Sequence, residues 1–321
     1  MKKVLLVLAI CVVGVIILIL GLLFAVANGI IGHNIEAIPG VIVITSEDRA
    51  LAESGDVDAQ LELAVLYWRA GDEAQFIHWM RRAAEQDNFE GQYNLGVAYR
   101  DGLVIEQDYG QAIYWFRKAA EQDHYMAQNN LAILYEEGWG VPEDWEKAYY
   151  WYSRAANHGF SFAQINLAMS YLVGIGVERD DTRAVYWFKQ AAEQGYSTAE
   201  LNLGLLYQAG LGVAQDHQQA AYWHTRAANQ GSRLAQYSLA MLYHQGLGVE
   251  QSDENATRWL MEASNGGDLE IQVQLSIQYL GALGQEREGA NIFYIFTDTD
   301  EHSPNELEDL IKMFEQLNQH E

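Results

Sequence analysis

The chain has 321 residues, half of them hydrophobic, which is enough to bury a sizeable core in two ordinary domains or in one repeat array. Its 44 acidic and 19 basic residues give a formal net charge of -25, which repels nucleic-acid phosphates and anionic lipid headgroups. The single cysteine, Cys11, excludes an intramolecular disulfide and a zinc site built on several thiolates.

The first element in chain order is an uncharged apolar segment, residues 4–27, which follows Lys2 and Lys3. A helix of this length measures roughly 36 Å, enough to cross a hydrocarbon core of about 30 Å. The lysines precede the segment and the first charge after it is Glu36, so the positive-inside rule keeps the N-terminus in the cytoplasm. Residues 1–27 are therefore predicted to form a transmembrane signal anchor.

Two alternatives to an uncleaved anchor depend on residues in and around this segment. Ala25-Val26-Ala27 fits a signal peptidase site, so cleavage after Ala27 stays open, although the apolar core is longer than in cleaved signals. Lipid attachment at Cys11 is disfavoured, because the residue before it is Ile10, whereas lipoprotein signals resemble one another in having a small residue there.

Residues 28–45 are predicted to form a linker with a turn at Pro39-Gly40. Its last part, Val41–Ile44, is too apolar for a free linker. We expect this part to pack on the segment that follows or to lie at the membrane surface.

An internal repeat dominates the rest of the chain. The segment that begins Ala127-Gln128-Asn129-Asn130 recurs in steps of 36 residues at Ala163, Ala199 and Ala235. An upstream copy begins at Gly91, a shorter one at Ala59 and a diverged one at Ile271. Each full copy carries a tyrosine, a glycine three residues later and a tryptophan: Tyr99, Tyr135, Tyr171, Tyr207 and Tyr243; Gly102, Gly138, Gly174, Gly210 and Gly246; Trp115, Trp151, Trp187, Trp223 and Trp259.

The spacing within a copy predicts two helices. Ala127, Leu131 and Tyr135 share one face of the first helix, and Trp151 and Ala155 share one face of the second. The recurring glycine is suited to end the first helix in the left-handed conformation. An aspartate precedes each second helix as a predicted N-cap: Asp108, Asp144, Asp180 and Asp216.

This pattern resembles the Sel1-like repeat family, which is related to the tetratricopeptide repeats. The resemblance covers residues 46–297 and implies an all-α fold, an α/α superhelical solenoid of about six to seven repeats behind the N-terminal transmembrane helix. A lone helix from Ser46 to Gly55 is predicted as an N-terminal half-repeat. Residues 298–321 are predicted as a C-terminal capping helix that begins at Ser303-Pro304 and seals the last repeat or folds into the groove.

The sequence offers little support for catalysis. The Gly-x-Gly loops, such as Gly174-Ile175-Gly176 and Gly210-Leu211-Gly212, lack the third glycine and the preceding strand of a dinucleotide motif, and they recur with the repeat. The nine histidines form no HExxH motif or local cluster. We therefore predict no enzyme, no cofactor and no metal site.

A candidate partner-binding groove is implied by the tetratricopeptide relationship, since in those relatives one face of each first helix lines the concave surface. Carried onto this sequence, the face presents an apolar set that suits a protein or peptide partner. Its predicted members are Tyr93, Val97, Arg100, Ile165, Met169, Leu172, Leu205, Tyr237 and Met241. Tight winding of the repeats would instead bury these side chains in the core, and this alternative stays open.

Asn94, Asn130, Asn166 and Asn202 form a second recurring row. They resemble the asparagines with which tetratricopeptide relatives hold a peptide backbone. Side-chain bonding within or between repeats is the favoured interpretation, because polar groups near a core are normally paired.

The predicted function is a non-catalytic protein-interaction scaffold, anchored in the bacterial inner membrane through residues 4–27 with its repeats in the periplasm. No nucleic acid is expected among its partners. The alternatives are an envelope enzyme or glycan-binding accessory protein and a secreted effector.

Overall fold

The computed structural model describes residues 44–102 and 104–264, and this part of the chain folds into thirteen α-helices without a strand. The all-α class and the arrangement of two helices per repeat are thereby confirmed. The chain divides into two compact units at Glu143 and Asp144. Within each unit, every helix packs against the next one along the chain.

The first unit contains a half-repeat and the first repeats. The lone helix α1 begins after Thr45, which caps it through two hydrogen bonds. The hydroxyl of Thr45 accepts from the backbone N–H of Asp48, and the carboxylate of Asp48 accepts from the backbone N–H of Thr45. The predicted lone helix is therefore confirmed from Ser46, and Thr45 is its N-cap. The six helices are α1 Ser46–Glu53, α2 Val57–Arg69, α3 Glu73–Glu85, α4 Phe89–Asp101, α5 Tyr109–Glu121 and α6 Tyr125–Glu136.

The second unit continues the same alternation of first and second helices. Its helices are α7 Trp145–Asn157, α8 Ser161–Val173, α9 Asp181–Glu193, α10 Ser197–Ala209, α11 His217–Asn229, α12 Arg233–Gln245 and α13 Asp253–Ser264. The even helices α8, α10 and α12 are the first helices of their repeats, and α9, α11 and α13 are the second ones.

The predicted N-caps of the second helices are confirmed. Asp108, for example, accepts a hydrogen bond of 2.9 Å from the backbone N–H of Gln111. Each such cap satisfies an N–H group that has no partner inside the helix and stabilises it by about 1 kcal/mol. The same bond is made by Asp144, Asp180 and Asp216.

The glycines of the loops serve two different purposes. Gly174 ends α8 with a φ of 79°, in the left-handed region where glycine carries no steric cost, and Gly102, Gly210 and Gly246 do the same. The second glycine permits close packing, since a Cβ on Gly212 would overlap the carbonyl oxygen of Asp181. The Gly-x-Gly motifs are thus turns that let one hairpin approach its neighbour.

The core of each unit is built from small and aromatic side chains. The Ala-Ala pairs that close the second helices are fully or almost fully buried, which lets paired helices approach closely. The large aromatic side chains Phe116 and Phe188 fill the space between them. Half-buried Ile44, near the end of the predicted linker, packs on a cluster that contains Leu63 and Trp79.

A row of glutamines links successive hairpins. Buried Gln128 donates a hydrogen bond of 3.0 Å to the carbonyl of Ala120, and Gln60, Gln92, Gln164 and Gln236 make the equivalent bond. A second glutamine, at the end of the next second helix, donates to the first one, as Gln194 does to Gln164 at 2.9 Å. Where this second glutamine is present, after Gln60, Gln92 and Gln164, the buried amide is paired through both its nitrogen and its oxygen. Oε1 of Gln128 and Oε1 of Gln236 are buried without a hydrogen-bond partner.

Glu200 occupies the position of these glutamines in α10. Its carboxylate is fully buried and lies 2.7 Å from Nη2 of Arg226, while Gln230 donates to it at 2.8 Å. A carboxylate cannot donate the hydrogen bond that the glutamines make. The guanidinium of Arg226 donates instead to the equivalent carbonyl, that of Ala192, at 3.3 Å. Burial raises the pKa of Glu200, and Arg226 counteracts the rise.

Several predictions lie outside the described residues: the anchor over residues 1–27, most of the linker, the diverged last repeat from Ile271 and the capping helix over 298–321. None of the helices within residues 44–264 is long and apolar enough to span a bilayer.

Candidate partner-binding surface

The structure separates the nine predicted groove residues into two groups. Six are half-buried at the surface of their first helices: Tyr93, Val97, Arg100, Ile165, Tyr237 and Met241. The other three, Met169, Leu172 and Leu205, are buried. The half-buried group keeps a partner-accessible surface, and binding there stays a prediction.

The assignment of Met169, Leu172 and Leu205 to an open groove requires correction. Met169 is 6% exposed and Leu205 is 1% exposed, so neither offers a surface to a partner. Met169 and Leu172 of α8 and Leu205 of α10 face into the packed helices, as tight winding of the repeats would produce. A glutamate at Met169 or Leu205 would bury an unpaired charge and disrupt the fold rather than test partner binding.

An open apolar cleft lies in the first unit, on the corresponding face of the earliest repeat. Its walls come from α2, α3 and α4, and its volume is about 500 Å³. Three residues of α2 line this cleft at the positions that correspond to predicted groove residues one copy later. The first copy is short, so the two sets are 32 residues apart: Leu61, Val65 and Trp68 correspond to Tyr93, Val97 and Arg100. We call this site the Trp68 cleft; its apolar wall is formed by Leu61, Val65, Trp68, Phe76 and Val97.

The rim of the Trp68 cleft exposes large apolar side chains. Trp68 is 52% exposed and Val65 is 40% exposed, and the ring of Trp68 lies 5.1 Å from that of Phe76 in a tilted arrangement. Val104, in the loop after α4, is also exposed at this rim. The sequence-based prediction did not include these residues of α2. Applying the same groove positions to the first, shorter copy would have identified them.

Arg100 and Tyr93 are tied into the structure next to the cleft helices. The guanidinium of Arg100 bonds Asp101 at 2.6 Å and Asn130 at 2.6 Å, and the bond to Asp101 raises the pKa of Arg100. The ring of Tyr93 lies 4.6 Å from that of His124, and burial raises the pKa of its hydroxyl. Both residues therefore join α4 to the following hairpin as well as forming surface.

The asparagine row bonds within its own helices. The side-chain amides of Asn94, Asn130 and Asn202 donate to carbonyls four residues earlier, at 2.8, 3.0 and 2.8 Å. For these three the favoured interpretation is confirmed. Asn94 also lines the Trp68 cleft.

Within the described residues, no group of three or more His, Cys, Asp or Glu side chains is placed to hold a metal ion. The successive helical hairpins define an α/α repeat protein. The chain belongs to the Sel1 repeat family: the Sel1 repeat model matches residues 77–88, 89–124, 126–160, 161–196, 197–232 and 233–268. Sel1 repeat proteins typically mediate protein–protein interactions and are generally non-catalytic.

Two solved structures show the same fold. A protective antigen of uropathogenic Escherichia coli with an SLR fold is 35% identical at a TM-score of 0.67, over 73% of this chain and 50% of the antigen. The chain thus matches about half of that protein's length. A Sel1 repeat protein from Oxalobacter formigenes is 29% identical at a TM-score of 0.63, over 70% of this chain and 94% of its own. No curated protein matches the sequence significantly.

Proposed function

We propose that this protein is a non-catalytic scaffold that binds a protein partner at the Trp68 cleft. Residues 4–27 would anchor it in the inner membrane and leave the repeats in the periplasm, where the partner would belong to an envelope complex. The family supports the role of a scaffold. The length and charge pattern of the N-terminal segment support the anchor.

The observation that carries the proposal is the exposure of Trp68 and Val65 beside an apolar cavity. Large exposed apolar side chains that flank a cavity often mark a site where another molecule binds. Tryptophan is also among the residues that contribute most to protein interfaces, because it buries a large rigid surface at little entropic cost.

Site-specific crosslinking in the native host tests the proposal. A photoreactive phenylalanine analogue at position 68 is expected to form a discrete adduct with one protein, since the side chain points at the bound partner. The control places the analogue at Tyr114, which is 49% exposed on α5 of the same unit and lies outside the cleft. Adducts of equal yield at both positions, or none at position 68, would contradict binding at the cleft.

The anchor has a separate test in the same cells. Protease added to spheroplasts is expected to degrade the repeats, while the intact chain fractionates with the inner membrane. A mature protein that begins at Asn28 and leaves the membrane would instead favour the secreted-effector alternative.

A further inference from the structure

We infer that the Trp68 cleft accepts apolar side chains from a basic segment of its partner, with lysine or arginine side chains of that segment reaching Glu73 and Glu90. This inference rests on the proposed function, because it specifies the chemistry of the partner that the scaffold binds.

The cavity itself selects for apolar groups. Its volume of about 500 Å³ lies within the ordinary range of ligand pockets, and its surface comes mainly from aliphatic and aromatic side chains. A short row of leucine- or phenylalanine-sized groups, spaced three or four residues apart on a helix, fits such a groove.

The charged groups of the cleft are of one sign. Glu73, the first residue of α3, and Glu90, in the first turn of α4, both line it, and no lysine or arginine among the described residues does. Carboxylates beside an apolar surface attract cations more strongly than they do in open water, because the local dielectric is lower. An acidic segment, a nucleic acid or an anionic lipid would be repelled at the same rim.

A neighbouring histidine leaves the charge of Glu90 uncompensated. Nε2 of His124 lies 4.0 Å from Oε1 of Glu90, and it would neutralise the carboxylate if the ring were protonated. Burial lowers the pKa of His124, so the imidazole is neutral at physiological pH. Glu90 therefore remains an acceptor for a partner's cation at the mouth of the cleft.

Three labelled peptides of about 14 residues separate the chemical requirements. One combines leucine at helical spacing with lysine, the second replaces lysine by glutamate, and the third replaces leucine by serine. Fluorescence anisotropy with the full chain in detergent is expected to show the leucine–lysine peptide binding at least about tenfold more tightly than the other two, a difference of about 1.4 kcal/mol.

Charge reversal at the cleft provides the decisive variant. Glu73→Lys with Glu90→Lys is expected to invert the preference, so that the leucine–glutamate peptide binds more tightly. The matched control is Glu85→Lys with Glu121→Lys, which changes the net charge equally at two exposed helix ends outside the cleft. The control should keep the original preference, and Trp68→Ala should weaken the leucine–lysine peptide at least about tenfold.

Three outcomes would overturn the inference. Equal binding of the leucine–lysine and serine–lysine peptides would mean general attraction to an acidic chain. If charge reversal at Glu73 and Glu90 and charge reversal at Glu85 and Glu121 changed peptide binding equally, the attraction would again come from the net charge and not from the cleft. A crosslink from position 68 to residues 28–43 of the same chain would mean that the linker occupies the cleft. If the peptides fail while position 68 still forms its adduct with one protein, the proposed function stands and only the basic partner segment is rejected.

Discussion

Replacement of Arg226 by alanine is expected to lower the free energy of unfolding by about 3 kcal/mol, because it leaves the carboxylate of Glu200 buried without its ion pair. The side chain of Glu200 is inaccessible to solvent and lies 2.7 Å from Arg226. This loss is at the lower end of the range for a broken buried ion pair, because about a third of the Arg226 side chain is exposed to solvent. The same substitution also removes the donor to the carbonyl of Ala192.

The glutamine row supplies the compensating change. Glu200→Gln in the Arg226→Ala background places an amide where Gln128 and Gln164 already donate to the equivalent carbonyls. We expect this double variant to recover most of the lost stability. Thermal and urea unfolding of the full chain in detergent, followed by tryptophan fluorescence, measures both changes.

Arg154 provides a control for the cation–π contribution. Its guanidinium lies 5.4 Å from the ring of Trp151, as that of Arg226 lies 5.1 Å from Trp223, but its repeat carries Gln128 at the position of Glu200. Arg154→Ala removes the same cation–π contact but leaves no buried carboxylate at position 128, so it should lower the free energy of unfolding less than Arg226→Ala does. Similar losses for Arg154→Ala and Arg226→Ala, or no recovery in the double variant, would mean that the buried ion pair is not the cause.

The repeat register could be predicted from the sequence because one structural unit recurs with its turn chemistry intact. Asp108 and Gly102 keep the same offsets in copy after copy, and each offset corresponds to a local requirement, a side-chain cap or a left-handed backbone. Such requirements act within a few residues, so a single sequence reveals them. The order of the helices, their caps and the recurring Ala-Ala pairs could therefore be predicted from the repeat alone.

The depth of each groove position could not be predicted in the same way. Val97 and Leu205 occupy equivalent places in their repeats, yet Val97 is half-buried and Leu205 is buried. Their exposure depends on how closely neighbouring hairpins pack, and this is a property of contacts between repeats rather than of helical period. An apolar stripe alone does not distinguish a core face from a binding face.

The pairing of Glu200 with Arg226 is a second feature that periodicity conceals. The two residues lie on different helices, 26 positions apart, and only the stacking of α10 on α11 brings them together. The sequence did contain one signal, since Glu200 is the exception in a row of glutamines. A residue that departs from the repeat, such as Glu200, indicates that another side chain must compensate for the change. The repeat pattern alone does not show that this side chain is Arg226.

His224 is another such break, and it makes the second unit sensitive to acid. It stands where Phe116 and Phe188 fill the core of their repeats, and burial lowers its pKa from 6.5 to about 3. Its Nε2 lies 3.3 Å from Oε1 of Gln208, while its Nδ1 has no hydrogen-bond partner. The folded state therefore holds the imidazole neutral at a pH where an unfolded chain would protonate it.

The sign of the pH dependence follows from this difference. Between about pH 6.5 and pH 3 the unfolded state binds a proton that the folded state does not, so the contribution of His224 to stability falls as the pH falls. The loss amounts to about 3 kcal/mol between neutral pH and about pH 4. It should appear first in α11 as faster amide hydrogen exchange, since local opening is enough to expose the ring.

The variant His224→Phe isolates this contribution from the many carboxylates that titrate in the same range. A phenyl ring should fit, because Gly204 faces His224 as Gly96 faces Phe116, each leaving room for a ring where a Cβ would clash. The difference in unfolding free energy between the variant and the unmodified chain is expected to grow in favour of the variant as the pH is lowered. A difference that stays constant from neutral pH to about pH 4 would show that His224 is already protonated in the folded protein or remains accessible to water.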